Sequence, residues 1–400
     1  MNKKTVKELL QKLGTLMALI ILVAIFCITM PDKFPKIMNV MNILKQASIN
    51  CLIASGMLCC LITAGIDLSV GSNCVMCTCL IGVLVQNFGI TNPVVLIIAG
   101  LAASTCAGIV NGLLLTRLDL PHPFVSTMGM KNVLWGLALV ITGSKSIGFT
   151  GKGVDSLMWI GGSSILKTTD ASGAVKFPGI PFSFILVIIV FCIFHVFLTK
   201  SALGRQIYCC GGNAEAARLS GIPSKNVLTF VYALSGFMAG MAGVVSVGRL
   251  ASANGNAGQT YDNDAIAACI VGGASFTGGK GTIWGTLIGA MIMAVIRNGL
   301  NLAGASNDVQ YIVIGAVIIR QLPSTLFVTR WKPRPARWLL SKHCTNDQKR
   351  STFGSAVFLF VYGLFLAFGR REVYYEEKGR IQKTGGTRLC KRFVLRFWHC

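Results

Sequence analysis

Apolar residues in this chain neither alternate with polar ones nor recur at the three-and-four spacing of a helix with one wet face. They form long, nearly uncharged runs at residues 14–30, 47–64, 70–86, 92–116, 124–141, 181–199, 226–248, 264–278, 282–300 and 310–320. About 20 apolar residues at 1.5 Å each cover a hydrocarbon core of ~30 Å, so the runs predict about ten spans, with 264–278 and 310–320 short for the task. The fold class that follows is an all-α, polytopic transmembrane helical bundle.

The first run follows Lys3, Lys4, Lys7 and Lys12, as a signal peptide's would. No small-residue cleavage site lies around Met30-Pro31-Asp32, which predicts an uncleaved span. With the N-terminus in the cytoplasm, loops 117–123, 200–225 and 279–281 fall inside, and 31–46, 142–180 and 249–263 outside. The 200–225 loop carries Lys200, Arg205, Arg218 and Lys225 against Glu215, which agrees with the positive-inside rule. Lys33, Lys36 and Lys45 in the first outside loop run against it.

Small and polar residues modify this picture. Ser235, Gly236, Ala239, Gly240, Ala242 and Gly243 predict close helix packing, because small side chains let backbones approach in lipid. Asp67 and Ser69, flanked by Gly65 and Gly71, predict a broken helix with polar backbone at membrane depth, tolerated only against protein or a water-filled path. An Asp at mid-span costs ~2.5–3.5 kcal/mol to insert, so Asp67 belongs either at an interface or in a solute path. Asp262 and Asp264 read as surface carboxylates complementing the dipole at a helix start. Between two spans, Asn213 is placed to cap a short helix over 214–219 that Gly221 and Pro223 stop.

Composition excludes the ordinary soluble class: 53% of residues are hydrophobic and 13% charged, against about 25% charged in typical soluble domains. A net charge of +23 would suit a nucleic-acid partner, but residues 321–400 hold 16 Lys/Arg against 4 Asp/Glu, about half the excess in a fifth of the chain. No nucleic-acid partner is inferred. The 15 cysteines include Cys59, Cys60, Cys74, Cys77 and Cys79 inside apolar runs, where a thiol acts as a small hydrophobe, and no metal site is expected. The histidines, His122, His195, His343 and His399, are scattered, and His195 is expected to pack toward the bundle. The glycine-rich stretch before Lys280 fails as a phosphate loop, since Ala274 holds the first glycine position and Gly281 follows the lysine. The chain is therefore expected to be no enzyme and to bind no cofactor.

The segment Gly204-Arg205-Gln-Ile-Tyr-Cys-Cys-Gly211-Gly212-Asn213-Ala-Glu215-Ala216-Ala217-Arg218-Leu-Ser220-Gly221-Ile222 resembles the cytoplasmic coupling loop of permeases from the ribose and simple-sugar branch of bacterial ABC importers. So do, in order, Ala64-Gly-Ile-Asp67-Leu-Ser69-Val-Gly71-Ser72, Asn111-Gly-Leu-Leu-Leu, Gly136 to Gly143, Tyr261-Asp262-x-Asp264-Ala, Gly272-Gly273 to Gly281 and Asn298-Gly-Leu-Asn301-Leu. The likeness runs from about residue 40 to residue 319. It implies a monosaccharide-translocating subunit in the bacterial cell (inner) membrane, whose coupling residues 204, 205, 211–213, 215–218, 220 and 221 dock on a separate ATPase subunit that uses the ATP. An extracytoplasmic sugar-binding protein, a second permease copy or paralogue, and membrane lipid are the other implied partners. Asp67, Ser69, Asp264, Asn298 and Asn301 are the candidates for the translocation path. The alternatives are an ATP-independent secondary transporter, an importer of a nucleoside or other small polar solute, and a membrane scaffold.

After Ile319 the likeness stops at Arg320-Gln321-Leu-Pro323. Residues 320–400 form an atypical basic tail, read as frameshifted or fused, with a marginal eleventh span at 354–369 as one alternative and a lipid-surface tail as another.

Overall fold

The computed structural model describes residues 3–118, 120, 122–169, 175–306 and 308–317. Its helices are α1 (Lys3–Thr29), α2 (Ile37–Ile62), α3 (Val70–Phe88), α4 (Pro93–Arg117), α5 (Pro123–Thr142), α6 (Asp155–Gly162), α7 (Phe182–Lys200), α8 (Ala202–Gly212), α9 (Ala214–Leu219), α10 (Ser224–Leu250), α11 (Tyr261–Val271), α12 (Ile283–Leu302) and α13 (Asp308–Val317). Among the described residues, seven helices are long and apolar enough to cross a membrane: α2, α3, α4, α5, α7, α10 and α12. The apolar part of α1, Gly14–Thr29, and α13 are shorter. This is a multi-pass, all-α membrane protein.

The expected eighth span, 264–278, is not one. α11 has 11 residues and covers about 16 Å, half of the ~30 Å core. The apolar run continues past it, but the chain turns where Gly273, Gly278 and Gly279 take positive φ. The loop expected at 31–46 is mostly helix, since α2 starts at Ile37. His195 is exposed rather than turned inward. Of the tenth expected span, residues 318–320 lie outside the described residues, as do the tail and its 354–369 span.

α2 and α10 form the centre and are largely buried, whereas α4 and α5 leave most of their apolar surface exposed, as helices facing lipid do. Small residues set the central contacts. A Cβ on Gly236 of α10 would lie 2.9 Å from Gly108 Cα of α4, and one on Gly56 of α2 would lie 2.9 Å from Ser235 Cα. Such close approach gains dispersion contacts that a larger residue would forfeit.

The two ends of the bundle differ. At one, Ile147–Gly148 pairs antiparallel with Ser252–Ala253, tying the segment after α5 to the segment before α11. At the other lie α8, α9, the end of α2 and the 272–282 turn, where Gly279 N donates to Ile62 O at 2.8 Å. The first is the strand end of the bundle and the second its loop end.

Candidate functional site

Two helices begin inside the bundle. α10, 27 residues and about 40 Å long, serves as the ruler. Ser235, its twelfth residue, donates from Oγ to Asp67 Oδ2 at 2.8 Å, so Asp67 sits near mid-depth. α2 ends at Ile62, Ala64 takes a left-handed φ of 59°, and the chain turns back inward through Asp67. Asp67 Oδ1 then accepts from Ser69 N at 3.0 Å and Ser69 Oγ at 2.6 Å, a side-chain turn that opens α3. Asn111 Nδ2 of α4 donates to Ser69 Oγ at 2.8 Å. Asp67 is 1% exposed, and its carboxylate is answered by neutral donors.

α11 starts at the same depth. A Cβ on Gly71 would fall 3.2 Å from Asp262 N, so the N-termini of α3 and α11 meet. They run apart from there. α3 reaches the strand end, where a Cβ on Gly82 would lie 3.0 Å from Ala253 Cβ, and α11 reaches the loop end through Gly272. Asp262 and Asp264 do lie at a helix start, but they are buried, 1% and 4% exposed, not on the surface. Cations from remote positions make this tolerable. Lys131 Nζ of α5 meets Asp262 Oδ2 at 2.5 Å, and Arg297 of α12 binds Asp264 in a fork at 2.8 and 2.7 Å while donating to Thr260 Oγ1 at 3.1 Å.

Beside Asp264, between α2, α10, α11 and α12, is a cavity of about 140 Å³ lined in part by Asn50, Arg249, Thr260, Tyr261, Asp264 and Arg297. The buried Asn50 Oδ1 has no donor. Carboxylate and amide acceptors facing guanidinium and hydroxyl donors suit a neutral solute carrying several hydroxyls, each of which donates and accepts.

The five path candidates do not converge. Asp67 and Ser69 join the mid-depth network and Asp264 lines the cavity. Asn298 pairs with Asn39 by reciprocal amide bonds of 3.0 and 2.9 Å at the first turn of α2, and Asn301 accepts from Gln310 Nε2 at 2.7 Å. Both asparagines lie toward the strand end. Sequence reading missed Lys131, Arg297, Ser235 and Arg249; lone cations inside the 124–141 and 282–300 runs were the available signal, since such charges are paired or functional.

At the loop end, Asn213 ends α8 and starts α9, its Oδ1 accepting from Glu215 N at 3.1 Å and Ala216 N at 3.0 Å. Gly221, at φ 80°, closes α9 with Gly221 N to Arg218 O and Ile222 N to Ala217 O, both 3.0 Å. Glu215 and Arg218 pair on the exposed face at 2.7 Å, and the guanidinium holds the Glu215 carboxyl below its ordinary range. Ala217 is buried. Gly204 and Gly211 are buried in α8, and Arg205 Nη1 donates to Lys200 O at 3.0 Å. A Cβ on Gly211 would lie 2.8 Å from Gly279 N, and Tyr208 Oη donates to Gly281 O at 2.8 Å, so α8 is seated on the 278–281 turn. Gly212 and Ser220 complete the exposed ridge.

A family described as "branched-chain amino acid transport system / permease component" matches residues 39–322. The chain is 39% identical over 311 residues to the ribose import permease protein RbsC of Bacillus subtilis, covering 78% of this chain and 91% of that protein. It is 36% identical over 309 residues to the D-allose transport system permease protein AlsC of Escherichia coli (77% and 89%), and 34% identical over 329 residues to the galactose/methyl galactoside import permease protein MglC of Escherichia coli (80% and 95%). No solved structure matches. A match over most of the chain, with relatives aligned along nearly their full length, makes this chain a member of the transport permease family, in its simple-sugar branch.

Proposed function

We propose that this chain is the membrane subunit of an ATP-driven importer that carries a monosaccharide across the bacterial cell membrane. The observation that carries the reading is that relatives aligned over 89–95% of their own length are import or transport permeases for ribose, allose and galactose. The chain itself hydrolyses nothing and binds no cofactor; a partner ATPase supplies the energy, an extracytoplasmic sugar-binding protein delivers the sugar, and a second permease copy or paralogue completes the passage. The N-terminus and the α8–α9 loop face the cytoplasm.

α9 docks on the ATPase through Glu215, Arg218 and the ridge around Asn213. Closure of the ATPase presses on α8, which bears through Gly211 and Tyr208 on the 278–281 turn and on the end of α2. The turn drives α11, and the passage changes from opening on one side to opening on the other. Residues 320–400 take no part and are an appendage fused or shifted in frame; resequencing the locus checks this, and an intact frame shared by close relatives would sink it.

The test is ribose, allose and galactose uptake by liposomes holding the chain with its neighbouring ATPase and binding protein. Uptake that requires ATP is expected. Uptake indifferent to ATP would make the chain a secondary carrier, and none at all would leave a scaffold. Glu215→Lys or Arg218→Glu is expected to abolish ATP-driven uptake while membrane insertion persists.

A further inference from the structure

On the opposite flank of the first turn of α11 from the Asp264 cavity is a second, smaller one. It holds about 10 Å³, room for roughly one water, and is lined by Ser72 of α3, Lys131 and Trp135 of α5, and Gln259 and Asp262 beside the start of α11. Asp262 gives Oδ2 to Lys131, but its buried Oδ1 has no donor. The Trp135 Nε1–H is also buried and has no acceptor. Asp262, with one desolvated and unpaired carboxylate oxygen, and Trp135, with a desolvated and unpaired indole donor, thus line one niche at the mid-depth meeting of α3 and α11.

A single group that both donates and accepts satisfies the pair. Water does so while the niche is closed; the hydroxyl of a sugar does so when it is open. α5 leaves most of its surface outside the bundle, and it meets the first turn of α11 through the Lys131 ion pair. Lys131 pairs with Oδ2 and leaves Oδ1 to the niche.

We infer that Asp262 Oδ1 and Trp135 Nε1–H form a mid-membrane binding point for one hydroxyl of the passing monosaccharide, with Lys131 as the counter-ion. This rests on the import reading above and adds a place where the hydroxyl pattern of the sugar is read inside the membrane.

The experiment compares uptake of ribose, allose and galactose with uptake of their singly deoxygenated analogues, in liposomes holding the whole complex and one unchanged binding protein. Trp135→Phe removes the donor. Lys131→Met combined with Asp262→Leu removes the acceptor without stranding a buried charge. Because the binding protein is constant, a change in the ratio of sugar to analogue belongs to the permease. Both variants are expected to cut the ratio for one deoxy analogue about tenfold, the effect of one lost hydrogen bond. Trp135→His, which keeps a ring N–H, is expected to recover part of it. If the unaltered complex imports none of these sugars, the import reading fails and this one with it. If it imports them and both variants keep the original ratio, or slow sugar and analogue equally, the niche is a structural joint and the proposal alone is overturned.

Discussion

The start of α3 and the start of α11 solve one problem in two ways. Each is a helix beginning near mid-depth with a buried carboxylate beside its first turn. At α3, Asp67 is held by Ser69 and Ser235 hydroxyls and a backbone amide, all neutral. At α11, Asp262 and Asp264 are each held by a cation from a distant helix, Lys131 of α5 and Arg297 of α12. Both starts are tied to two other helices, α3 to α10 and α4 through neutral donors and α11 to α5 and α12 through ion pairs, so the loss of one partner strands a buried charge only at α11.

Removing one cation should break the comparison hardest. Arg297→Met strands Asp264 as a buried, unpaired charge and is expected to cost about 3–5 kcal/mol, seen as loss of monodisperse protein after extraction and a large fall in the unfolding midpoint. Adding Asp264→Asn should recover most of it. Asp67→Asn, which strands no charge, is expected to cost less, about 1–3 kcal/mol by the same thermal measurement; an equal or larger fall would erase the distinction between the two starts. Gly71→Ala puts a methyl 3.2 Å from Asp262 N, between the two starts, and should cost ~1 kcal/mol, the lower end for overpacking. The smallest effect lies far from both. Arg218 lowers the Glu215 pKa, so the contribution of that pair is present above the ordinary carboxylate range and is lost as pH falls through the lowered value. In Arg218→Ala the Glu215 carboxyl should titrate at higher pH, read by carbon NMR of labelled glutamate.

Much of the bundle was legible because a helix that crosses lipid has to be apolar along its length, whether it faces lipid or the bundle centre, and α4, α5, α7 and α10 lie within a few residues of their expected spans. The break at Asp67 was legible too, since a carboxylate between glycines has few other uses at that depth. α11 was not. Run length counts apolar residues, and glycine counts as neutral there although backbone geometry at Gly273, Gly278 and Gly279 ends the helix. The burial of Asp262 and Asp264 was also hidden, because a dipole argument places a carboxylate at a helix start without saying how deep that start lies. Their partners are 131 and 33 residues away along the chain, a pairing that only the folded bundle produces.

α11 is about three turns long, too short to flex appreciably, with positive-φ glycines after its loop-end terminus and ion pairs at its mid-depth start. In the transport cycle proposed above, such an element acts as a push rod. In that cycle a shift imposed at the 278–281 turn is carried along α11 to Asp262 and Asp264, whereas a full-length span would dissipate part of it in bending against lipid. On that reading the stroke is set by how far the two ion pairs stretch before one lets go, and Lys131 and Arg297 decide how much movement the interior receives.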